Sequence, residues 1–193
     1  MKSTFFPIFM VLVFGMLSPL AEAHTFGSHG AGWIDGFAHP FLGLDHLLAM
    51  IAVGIWAAQL GRRATWLAPL AFVSVMAVGA LLGSRGVGLP LLEPIIASSV
   101  LVLSLLVVFA VRLPILASVG LVGLFGFFHG FAHGFELPDT ASPMLYFLGF
   151  LMATALLHAC GLGFGLSSRG INWVTRLGGS MIALGGLYLL ATV

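Results

Sequence analysis

The segment Phe128-His129-Gly130-Phe131-Ala132-His133-Gly134-Phe135-Glu136 closes an apolar run that begins near Leu113. Read as a helix, it sets His129, His133 and Glu136 at i, i+4 and i+7, within about 60° of one another. Two imidazoles and a carboxylate then share one stripe of a helix oily enough to cross a bilayer. Ionisable groups at such a place are expensive and need a reason. Binding a metal ion is one.

A second constellation lies in Asp35-Gly36-Phe37-Ala38-His39-Pro40-Phe41-Leu42-Gly43-Leu44-Asp45-His46-Leu47-Leu48-Ala49-Met50. With Pro40 in the first turn of a helix, His39, Gly43, His46 and Met50 fall on one face. Asp45 points about 100° away from His46. It either joins a ligand set across a distorted first turn or holds a neighbouring imidazole by a hydrogen bond. Asp35 reads equally as a cap or a ligand. Depth gives an independent check. His46 lies roughly 9 Å below the start of its span, and His129 roughly 10 Å from the end near Glu136, at 1.5 Å per residue. Two spans thus place their rare polar groups in one layer. Hydrogen bonding that only glues a bundle is the competing explanation. Four histidines and two carboxylates at one level favour a shared ligand.

The remaining histidines are less directed. His158 stands with Thr154 one turn before it, roughly 22 Å from the outer end of its span. It is either a structural histidine or a later station on an ion path. His24 and His29 sit in a Gly-rich stretch and read as loop residues that could collect a metal loosely. Imidazole with carboxylate suits nickel, cobalt, zinc or copper(II). Sulfur ligands are nearly absent, which disfavours copper(I), and calcium or magnesium would want oxygen throughout.

These groups must be positioned by membrane helices. The chain is 60% hydrophobic and 7% charged, against about 25% charged in a soluble domain, and its mean hydropathy is +1.16. An all-α, polytopic membrane protein is expected, embedded in the lipid bilayer. No basic patch for nucleic acid is present. Lys2 is the sole lysine, so the Lys-containing phosphate loop of a nucleotide-driven pump cannot exist here. Cys160 is the sole cysteine, which excludes an internal disulfide, and its apolar surroundings read as core.

Residues 1–23 resemble a cleavable signal peptide: Lys2, an apolar middle, and Ala21-Glu22-Ala23 before the cut. Residues 24–38 read as an irregular external segment. The remainder, 24–193, is one transmembrane domain. Its six apolar spans lie near 40–60, 65–83, 94–111, 114–134, 143–166 and 172–192, each near the roughly 20 residues a crossing needs. Alternate connectors hold Arg62, Arg63, Arg112, Arg169 and nearby Arg176, while the others hold only Arg85. The positive-inside bias then puts the mature N-terminus and the C-terminus outside the cytoplasm. Gly126, Gly130 and Gly134 make a row for close helix packing, as do Gly161 with Gly165 and Gly179 with Ala183.

With these residues in view, His39-Pro40-x-x-Gly43-x-Asp45-His46 and Phe128-His129-Gly130-x-Ala132-His133-Gly134-x-Glu136 resemble the two signature motifs of the HupE/UreJ family of hydrogenase and urease accessory proteins. The resemblance runs over essentially the whole chain. It implies a permease of the bacterial inner membrane that imports nickel, in some cases cobalt, for metalloenzyme assembly. It also implies that His39, Asp45, His46, His129, His133 and Glu136 lie on the nickel pathway. His24, His29, Asp35, Met50 and His158 form a secondary set. The expectation is secondary uptake of nickel, with cobalt or zinc as alternatives, and not catalysis. A metal sensor or structural membrane subunit is one rival. An intramembrane metallohydrolase is another, although His-Glu-x-x-His is missing and Gly130 stands where a general base would be needed.

Overall fold

A computed structural model describes residues 32–139 and 141–193. Residues 1–23, expected as a signal peptide, and His24 and His29 lie outside the described residues. All described regular structure is helical: α1 Trp33–Leu42, α2 Leu44–Leu60, α3 Ala64–Gly83, α4 Leu92–Val108, α5 Ile115–Phe135, α6 Pro143–Ser167 and α7 Asn172–Thr192.

Four of these, α3, α5, α6 and α7, are long and apolar enough to cross a bilayer alone. The pair α1 and α2 passes the same test together but bends by 80° between them. At 17 residues α4 is shorter, about 26 Å by helical rise. The chain is a multi-pass membrane protein. Its outer surface agrees, since Leu116, Trp66 and Leu184 are 81%, 71% and 67% exposed. In water such a surface would be a liability, whereas lipid tails accept it.

The core is α2. Every residue from His46 to Ala58 is buried, as expected of a helix that is apolar all round. Side chains cannot mediate so crowded a centre everywhere, so backbones touch. A Cβ at Gly54 would overlap the His158 carbonyl of α6, and one at Gly161 would overlap the Ile51 carbonyl of α2. The row Gly126, Gly130 and Gly134 does the same on α5 against Phe72, Met76 and Ala80 of α3. The expected packing role of those glycines is realised, and Gly130 brings the α3 backbone in beside His129.

Three expectations need correction. A single first span starting at Pro40 is not found. Helix begins earlier, at Trp33, so residues 33–38 are not irregular, and Pro40 lies in the last turns of α1. The break comes at Gly43, whose extended φ of −81° and ψ of 110° close α1 and open α2. Its N–H donates to the His39 carbonyl, and its carbonyl accepts from Leu47 N. Glu136 stands just past the last residue of α5, as its C-cap, with its N–H donated to the Ala132 carbonyl. Cys160 is exposed on α6 rather than in the core.

Candidate functional site

The break at Gly43 and the close approach of α3 to α5 determine where the histidines meet. His39 lies in the last turn of α1, His46 in the first turn of α2, and His129 and His133 one turn apart on α5. The His46 ring is 4.3 Å from that of His133 and 4.7 Å from that of His129, centre to centre. His39 lies 4.8 Å from His133 and 5.8 Å from His46. The four imidazoles from the two sequence constellations therefore form one cluster. His46, His129 and His133 are buried.

Each of three imidazoles is held by a neighbour. Asp45 Oδ1 lies 2.6 Å from His46 Nδ1 and also accepts the His46 backbone N–H at 2.7 Å. Of the two roles open to Asp45, the structure shows it holding an adjacent imidazole. With its Nδ1–H donated to the carboxylate, His46 keeps its Nε2 lone pair free. Gly43 makes room for this pair: a Cβ there would lie 3.0 Å from Asp45 Oδ1 and 3.2 Å from His46 Nδ1. Ser99 of α4 donates its hydroxyl to the Ile96 carbonyl at 2.6 Å and sits 2.8 Å from His129 Nε2. Its one proton is thereby used, so it accepts from His129 Nε2–H and the Nδ1 lone pair is left free. Glu136 Oε2 lies 2.9 Å from His39 Nε2.

What remains is a set of buried nitrogens with no partner among the described residues: His46 Nε2, His129 Nδ1, and both nitrogens of His133. A buried polar atom left unsatisfied costs about 1–3 kcal/mol. Four in one cluster would cost about 4–12 kcal/mol by that figure. This exceeds what helix glue explains, because glue would pair them. The rings meet edge to face. Among the described residues no three His, Cys, Asp or Glu side chains converge on one point as the ligands of an ion do.

Aromatic residues enclose the cluster. Phe150 stacks flat on His133 at 4.5 Å, and Tyr146 lies 6.0 Å from His39 with its hydroxyl buried and unpartnered. Phe72 of α3 stands between His129, at 5.7 Å, and His158, at 5.1 Å. His158 is thus outside the cluster, one aromatic ring further along the bundle. Both of its nitrogens are buried and have no partner among the described residues. Thr154 points its hydroxyl at Met76 Sδ, 3.9 Å away. Met50 is fully buried in α2. Asp35 accepts from the Gly32 N–H at 3.2 Å, the capping role.

Sequence reasoning did not find Ser99, Tyr146, Phe150 or Phe72. A polar pair, Ser98-Ser99, in an otherwise apolar run was the available signal for the first. Nothing in spacing marks the three aromatics among the 17 Phe and 2 Tyr of the chain.

No solved structure matches this chain. The curated Protein HupE of Rhizobium leguminosarum bv. viciae is 46% identical over 178 residues, covering 90% of this chain and 92% of that one. The family model described as HupE / UreJ protein matches residues 11–189. On both grounds, this chain belongs to the HupE/UreJ family.

Proposed function

We propose that this protein is a secondary permease carrying a divalent transition-metal ion, nickel foremost and cobalt as the alternative, toward metalloenzyme assembly. One observation carries the reading: α1, α2 and α5 bring four imidazoles together, three of them buried with nitrogen lone pairs unused. Neutral imidazole nitrogens suit nickel, cobalt and zinc. Asp45, Ser99 and Glu136 hold the rings that would ligate, and His133 completes the set. Ring rotations bring the nitrogens onto the ion as its water leaves. A broken helix is how many transporters build an ion site, because freed carbonyls and a helix C-terminus favour a cation. The end of α1 at Leu42 supplies such a terminus.

In this reading α1 with α2 makes one broken crossing and α4 a short one, which gives six crossings. The chain sits in the bacterial inner membrane, after removal of the signal peptide, with the histidine cluster toward the outside. Its arginine-rich end faces the cytoplasm. A potential negative inside favours a divalent cation by roughly 4.6 kcal/mol per 100 mV, enough to draw the ion inward without nucleotide hydrolysis. His158, behind Phe72, is the next station.

The test is uptake of nickel, cobalt and zinc into proteoliposomes under an imposed potential. Wild-type protein should accumulate nickel or cobalt, and His129→Ala should reduce flux to the level of empty vesicles. Metal binding without flux would replace the permease with a sensor. Equal flux in the variant would remove the site.

A further inference from the structure

The end of the bundle away from the histidines holds a second polar feature that cation transport does not use. His46 and Leu60 are 14 residues apart on α2, about 21 Å along its axis. Just beyond Leu60 lies an open cavity of about 590 Å³. Arg62, Arg112, Arg169 and Arg176 line it, with Gln59 and Asn172, and no carboxylate does. The arginines come from three different connectors and from α7, so the fold, not the sequence order, brings them round one space.

Among the described residues, no counter-charge lies nearby. The described carboxylates, Asp35, Asp45, Glu93, Glu136 and Asp139, all belong to the opposite end. Among the described residues, the only ion-pair contacts are those of His39 and His46 with carboxylates. Helix dipoles do not neutralise the cavity either. The C-termini of α2, α4 and α6 and the N-terminus of α7 meet it. At about half a charge each they sum to roughly −1, against four guanidinium groups. A net charge of about +3 remains. Among the described residues, only one of the four has a hydrogen-bond partner, Arg169 Nη2 at 3.5 Å from the Ala58 carbonyl. Orienting the chain in a membrane requires arginines on one side. It does not require four of them round one cavity.

We propose that this cavity binds a phosphate-type anion, either the headgroup of an anionic lipid or a free phosphate. Guanidinium forks match phosphate oxygens two at a time. Basic pockets between helices at a membrane face suit anionic headgroups. The proposal is independent of the cargo of the histidine cluster.

The experiment uses the full chain purified in neutral detergent. Phosphatidylglycerol and phosphatidylcholine of equal tail length are titrated and read by native mass spectrometry. Inorganic phosphate is titrated separately by calorimetry. Wild-type protein should retain phosphatidylglycerol over phosphatidylcholine, or bind phosphate. Arg112→Gln/Arg176→Gln should weaken that binding about ten- to thirtyfold, and Arg85→Gln, at the far end, should not. Loss of the lipid in the double variant identifies a headgroup site; loss of phosphate identifies a free-anion site. Equal retention of both lipids together with no phosphate binding, or binding unchanged in the double variant, overturns the proposal. Should the double variant misfold, Arg112→Lys/Arg176→Lys keeps the charge and removes the forks. It should bind several-fold more weakly than wild type, and unchanged binding there also overturns the proposal.

Discussion

The two ends of this bundle treat polar groups in opposite ways. At the end holding the break, three imidazoles are buried, two of them, His46 and His129, are held within 2.9 Å by a carboxylate and a hydroxyl, and lone pairs are left over. At the other end, arginines stand exposed round a cavity with no carboxylate near them. Burial makes position matter at the first end, because a desolvated nitrogen can be satisfied only by what packs against it. Exposure makes charge count at the second, because water tolerates each arginine and only the sum is felt. A substitution should therefore be severe at the histidine end and mild, one at a time, at the arginine end.

The sharpest way to break this contrast is at the cluster itself. His46→Ala should lower nickel flux to background in the proteoliposome assay while leaving the protein folded. Gly130→Leu should be nearly as damaging for a different reason. Its side chain would collide with the Met76 backbone, pushing α3 from α5 at a cost of about 3 kcal/mol or more. Thermal unfolding in detergent should register that loss. Gly163→Ala, with open space at its Cβ, should not shift the curve.

Asp45→Asn tests whether a held imidazole differs from a merely present one. Weaker acceptance of the His46 Nδ1–H should cost about ten- to a hundredfold in metal affinity, read by titration of purified protein. Acid should act in the same direction. Imidazoles must be free of protons to ligate, so flux should fall as the external pH is lowered. Flux that rises in acid would point to proton-coupled entry at a different site. The smallest effect is expected at the other end. Arg62→Gln alone should leave the unfolding midpoint and nickel flux close to wild type, since isolated surface substitutions stay within about ±0.5 kcal/mol.

Much of this was legible in the residues. A chain with 7% charged residues and long apolar runs has few ways to satisfy its backbone in lipid, and helices are the one that such runs encode. The α5 constellation could be read because a single helix fixes the relation of i to i+4. Its glycines could be read because small residues at that spacing have few other uses in a membrane helix. Pro40 misled for a physical reason. Proline is favoured in the first turn of a helix, but Pro40 lies in the last turn of α1, where its missing N–H takes the i+4 donor from the Gly36 carbonyl just before the helix stops. Gly43 marked that stop, and its φ of −81° is one any residue adopts, so no local rule singled it out. What favours glycine there is the space taken by Asp45 and His46.

The amino-acid sequence by itself determined the solvent in which this protein lives, the helices it forms, and the nitrogen and oxygen atoms available for a cation. Only the tertiary structure decided that Asp45 holds His46, that Ser99 and Phe72 border His129, and that four arginines share one cavity. Periodicity governs relations along one helix. Contacts between helices depend on the close backbone approaches that α2, α3, α5 and α6 make through their glycines, and these arise only when the whole bundle has packed.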